Sequence, residues 1–139
     1  LYGLKTVSLR YFNVYGPRQS EEGAYALVIA RFLKEKREGR PLPIVPDGNQ
    51  SRDFVHVADV VRANLLAMES DRVGRGEVIN IGSGKDYSVN QIAALIGGPT
   101  VFTNSRVEPK KTLADISRAH ELLGWKPTIS FESGIKDLT

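Results

Sequence analysis

The chain has 139 residues, of which 41% are hydrophobic and 25% charged, the composition of one ordinary globular domain rather than two. Nineteen basic and sixteen acidic residues leave a formal charge of +3, too even a balance for a nucleic-acid footprint, and the lack of cysteine excludes disulfides and thiolate metal sites. The two histidines, His56 and His120, have no metal-ligand spacing, and no apolar run approaches the roughly 20 residues that cross a bilayer.

In chain order, Val7 to Tyr11 alternates as a strand that runs out through Phe12-Asn13 and breaks at Gly16-Pro17. Arg18 to Gly23 reads as a polar loop. Ala24 to Glu38 reads as a helix with Tyr25, Val28, Ile29, Phe32 and Leu33 on one face and Gly39 as its stop. Its charge group, Lys34, Lys36, Arg37 and Arg40 interleaved with Glu35 and Glu38, reads as a solvated face. Ile44-Val45 is a short extended piece before an Asp47-Gly48-Asn49 turn. Arg52 to Val57 is a strand, and Ala58 to Met68 a helix with Asp59 complementing its N-terminal dipole.

Gly74 and Gly76 mark a turn before the buried strand Val78 to Ile81, which enters Gly82-Ser83-Gly84. A Ser88-Val89-Asn90-Gln91 capping box opens a helix through Leu95, ended by Gly97-Gly98-Pro99. Val101-Phe102 is a weak strand candidate. A fourth helix is expected over Ile116 to Leu123, stopped by Gly124, and a fifth capped by Ser130 and still running when the chain stops at Thr139. The pattern is one mixed α/β unit.

Four constellations carry chemistry. A strand that delivers Asn13 to its C-terminal edge is how open α/β sheets present ligand-binding groups, although an Asn before Gly-Pro also serves as an Asx turn. Arg52 offers a planar, permanently charged fork suited to a diphosphate, although an Arg-Asp neighbour pair is also ordinary at a surface. Arg106 and Glu108 form a second basic-acidic group leading to Ala114-Asp115. Gly82-Ser83-Gly84 has the look of a phosphate cradle but lacks the G-x-G-x-x-G spacing. Within the second stretch, Asp59 reads as structural, a carboxylate at a helix N-terminus, and His56 as a semi-buried packing residue, because no nucleophile or carboxylate partner lies near it in sequence.

These segments resemble, in order, motifs of the extended short-chain dehydrogenase/reductases, the NAD-dependent sugar-nucleotide epimerases and dehydratases. Arg10 to Pro17 is similar to RxFNxYGP, and Gly48 to Val60 to G-[EN]-Q-x-R-D-F/Y-x-x-V-x-D-V. Arg106-Val107-Glu108 is similar to R-P-G-[DE], one residue shorter, and Leu122 to Pro127 matches L-G-W-x-P. Leu27 to Phe32 resembles L-V-I-P-R-F with Ala30 in place of proline. The likeness runs from Leu4 to the end, and its wording sits nearest the UDP-glucose 4-epimerase-like members.

The resemblance implies the substrate-binding portion of an extended Rossmann-type enzyme, with only the last strand or strands of the dinucleotide-binding sheet. Residues 1–17 would be the final strand and turn of the dinucleotide-binding domain, and 18–139 the substrate domain. It implies that Asn13, Arg52 and Arg106 hold a UDP- or dTDP-sugar near its diphosphate, that Glu108 reaches the ribose, and that the backbone near Val28 approaches the nucleotide. Val45 stands where an aromatic side chain often stacks on the base, so base contact should be weaker. Phe12 would lie against the nicotinamide of NAD.

The Tyr-x-x-x-Lys pair and the glycine-rich NAD loop are absent from these residues. The expectation is therefore a cytoplasmic, nucleotide-sugar-binding piece of an enzyme, not catalytic alone and not binding NAD tightly alone. The alternatives are a stand-alone nucleotide-sugar-binding or regulatory module, or a non-functional fragment that forms a homo-oligomer through its exposed first strand.

Overall fold

The computed structural model describes residues 3–23, 27–105 and 107–139. Strands β1 (Thr6–Tyr11) and β2 (Asn13–Tyr15) are followed by helix α1 (Val28–Arg37), β3 (Leu42–Ile44), β4 (Ser51–His56) and α2 (Val57–Glu69). Then come β5 (Arg75–Ile81), β6 (Asp86–Ser88), α3 (Val89–Ile96), β7 (Thr100–Phe102), α4 (Ser117–Leu123) and α5 (Phe131–Lys136). The mixed α/β class expected from the sequence is what is found.

Three small sheets organise these elements: β1 with β5, β2-β4-β6, and β3 with β7. The β1–β5, β2–β4 and β3–β7 pairings are all parallel; only β4–β6 is antiparallel. The opening strand differs from expectation, because it divides at Phe12 into two strands of different sheets. The Phe12 amide gives the β1 side its last bond, donating to the Ile81 carbonyl at 2.9 Å, after which Asn13 pairs with Phe54 of β4. Gly16 then turns the chain at φ +150°; a Cβ there would stand 2.6 Å from Val57 Cγ1.

Strand β4 divides the core. By the two-residue period of a strand, Phe54 and Val55 face opposite ways. Phe54 joins a cluster with Tyr15, Phe32, Ile92, Phe131 and Ile135, and Val55 joins one with Ala63, Ile79, Ile81, Ala119 and Trp125. Trp125 is fully buried, its indole N–H donating to the Asp59 carbonyl at 2.9 Å, so the expected helix stop with a packing tryptophan is present.

The third helix has its capping box, with the Ser88 hydroxyl and the Gln91 amide each bonding the other's backbone. Two helix ends differ from expectation. Leu27 has extended backbone and provides no side-chain cap, so α1 begins at Val28 rather than Ala24; residues 24–26, with Tyr25, lie outside the described residues. The apolar period that suggested a longer helix specifies a face, not a starting point. Helix α5 is capped by Ser130 as expected but ends at Lys136, where Leu138 turns back to bond Ile135 and pack on the first cluster.

Candidate functional site

The alternation of β4 also decides what its polar residues do. Arg52, on the Phe54 side, lines a cleft of about 510 Å³ between α1, the end of β3 and the start of β4. The cleft brings Asn13, Val28, Val45, Arg52 and Glu108 together, five of the seven residues singled out in the sequence. Phe12 lines an adjoining cleft of about 450 Å³ formed with the 13–20 segment, Leu27 and Val57, and Asn13 belongs to both. Arg106 lies outside the described residues.

The Asn13 amide donates to the Asp53 carbonyl at 2.9 Å, a partner 40 positions away. It is therefore held by the neighbouring strand and not by a local Asx turn. Arg52 Nη2 meets Glu108 Oε2 at 3.1 Å, with the two side chains 18% and 21% exposed, and Nη1 donates to the Ser51 carbonyl at 2.8 Å. Gln50, which sequence reasoning quoted but gave no role, donates from Nε2 to Glu108 Oε1 at 3.1 Å and to the Val45 carbonyl at 3.2 Å. Its place one residue before β4 and two before Arg52 is the signal that would have found it. Tyr87 also lines the cleft; burial first, then the Glu132 carboxylate it bonds at 3.2 Å, raises its phenol above the ordinary range. It is a neutral hydrogen-bonding group at any working pH.

Asp53, on the other face of β4, is fully buried. Its carboxylate accepts from Ser83 N at 2.6 Å, Ser83 Oγ at 2.8 Å, Gly84 N at 2.9 Å and Ala114 N at 3.1 Å. The Ser83 and Gly84 amides are thus committed to a protein carboxylate, and the loop is architectural. Asp59 is another internal anchor, accepting from Thr128 N and Oγ1, Ile129 N and Arg62 Nη2. Burial pushes its pKa up, but those bonds outweigh burial and leave it below the ordinary 3.8. His56 caps α2 by accepting from Ala58 N at 3.2 Å and meets Tyr15 edge-on, the structural role expected for it.

Among the described residues, no group of three or more His, Asp or Glu side chains could hold a metal ion, and no helix is long and apolar enough to cross a membrane. The residues present do not fit a whole dinucleotide: the glycine loop 82–84 is occupied by Asp53, and Phe12 offers one wall of a small cleft.

The model of the NAD dependent epimerase/dehydratase family matches residues 1–82, more than half of the chain. The chain belongs to that family. Among epimerase/dehydratase relatives, a putative UDP-glucose 4-epimerase of Methanocaldococcus jannaschii is 39% identical over 98% of this chain and 45% of its own length. The crystal structure of UDP-glucose 4-epimerase with UDP-glucose from Thermotoga maritima superposes with a TM-score of 0.87 at 45% identity, over 97% of this chain and 45% of that one. UDP-glucuronic acid 4-epimerase from Bacillus cereus, in complex with UDP-glucuronic acid and NAD, gives 0.81 at 37% identity, over 94% and 42%. The chain thus spans less than half the length of the family members it matches, and it shares their fold over that part.

Proposed function

We propose that this chain is the nucleotide-sugar-binding portion of a UDP-glucose 4-epimerase-like enzyme, binding a UDP- or dTDP-sugar without turning it over by itself. The observation that carries the reading is the single cleft shared by Asn13, Val28, Val45, Arg52 and Glu108. In this reading Arg52, with Arg106, grips the diphosphate, and the apolar wall of Val28 and Val45 receives the nucleoside. Asn13, fixed by its bond to the Asp53 carbonyl, positions the sugar end. Gripping remote groups is what orients a reacting centre in the whole enzyme. NAD, when bound to that enzyme, supplies hydride chemistry; this chain contributes Phe12 beside Asn13 and no proton-transfer pair.

Strand β1 and its parallel partner β5 would be the edge of the dinucleotide-binding sheet, so the division at residue 17 separates segments of sequence that β5 rejoins in space. A second reading, association through β1, draws on its pairing with β5 alone among the described residues, with Leu4 and Tyr11 exposed beside it.

Calorimetry with UDP-glucose and with NAD separately tests the main reading. Saturable UDP-glucose binding without NAD binding is expected, together with no turnover in a coupled epimerase assay. Turnover above background would sink the non-catalytic part, and silence towards UDP-glucose would sink the binding part. A concentration-independent monomer in light scattering would remove the second reading.

A further inference from the structure

We propose that Glu108 is a built-in competitor for the anion position of the cleft: its carboxylate holds Arg52 in the ligand's place, and a diphosphate must displace it to bind. The inference rests on the reading of the cleft as a nucleotide-sugar site and gives Glu108 the opposite sign to a ribose ligand. Each carboxylate oxygen of Glu108 is taken by a separate cleft donor, Oε1 by Gln50 Nε2 and Oε2 by Arg52 Nη2, both at 3.1 Å. A pair of phosphate oxygens would offer the same two acceptors to the same two donors.

Gln50 also bonds the Val45 carbonyl, so a continuous chain runs from the apolar wall through Gln50 and Glu108 to Arg52. At 18% and 21% exposure, Arg52 and Glu108 are dry enough to pair and wet enough to exchange. Arg106-Val107-Glu108 is one residue shorter than the R-P-G-[DE] element it resembles, and its acid meets Arg52 of β4.

The test is calorimetry with UDP, inorganic pyrophosphate and uridine on the wild-type chain, on Glu108→Gln, and on Arg52→Met with and without Glu108→Gln. Removing the competing charge should tighten UDP and pyrophosphate roughly fivefold, the size of a partly exposed ion pair, and leave uridine unchanged. In the Arg52→Met background the gain should vanish. Weaker binding of both UDP and uridine by Glu108→Gln would overturn the proposal and mark Glu108 as a ribose ligand; unchanged UDP binding would overturn it too. If no variant binds UDP, the cleft reading itself falls. Should Glu108→Gln fail to fold, Glu108→Ala is expected to shift UDP affinity in the same direction, and a shift the other way counts against the idea.

Discussion

Arg52 and Asp53 are adjacent on β4, yet they face two regions built on different terms. On the Asp53 side, a fully buried carboxylate meets four donors from the 82–84 loop and Ala114. On the Arg52 side, a guanidinium with part of its surface in water meets one carboxylate across a cleft. The first arrangement saturates every group and leaves nothing for a ligand. The second keeps part of its charge within reach of solvent, in the cleft where we propose that an anion replaces the partner. The comparison teaches that saturation separates a glycine loop that only looks like a phosphate cradle from an Arg whose charge still faces a cleft.

The comparison breaks most visibly at Asp53. Asp53→Ala removes the one acceptor shared by the amides of Ser83, Gly84 and Ala114, the last of them buried, and should destabilise the fold by about 3 kcal/mol in urea denaturation. A loss below about 1 kcal/mol would show that water reaches the loop and that its donors are not saturated.

Asp59→Asn, at the other internal anchor, should cost about 2–3 kcal/mol. It should also change the acid limb of stability. The folded carboxyl titrates below its ordinary 3.8, so its contribution is complete above that value and is lost as pH falls through the lower, folded pKa. The wild type should therefore lose stability on acidification below about pH 4 more steeply than Asp59→Asn.

On the cleft side the effects should appear in binding and not in stability. Arg52→Met is expected to weaken UDP roughly 30-fold, about 2 kcal/mol, with the melting temperature nearly unchanged. A collapse of stability with Arg52→Met would place it with Asp53 instead. The smallest effect sharpens the apolar wall: Val45→Tyr supplies a ring to stack on the base and should tighten UDP about fivefold, or about 1 kcal/mol.

Helices α2, α3 and α4 are legible in the sequence because a 3.6-residue apolar period, a capping box and an αL glycine each state a local rule that packing does not override. Strands β2 and β6 are not, since their pairing with β4 is a long-range fact that no local pattern states. Asn13 and Arg52 were legible through motifs. Their partners were not: Asp53 meets Ser83 and Ala114 across 30 and 61 positions, and Glu108 meets Arg52 across 56. Local spacing identifies which residues carry charge, and only the folded pairing tells which charge is already neutralised.

The parallel register of β1 on β5, from Thr6 against Arg75 to Tyr11 against Ile81, has a consequence in time. A ribosome adding about 5–20 residues per second makes β5 roughly 4–14 s after β1. Throughout that interval the edge of Thr6–Tyr11 that receives β5 waits without its partner, because a parallel partner cannot arrive by way of a tight hairpin. Slow translation between the two strands should therefore raise aggregation of the nascent chain, and a chaperone that binds extended segments should be needed most before Ile81 emerges.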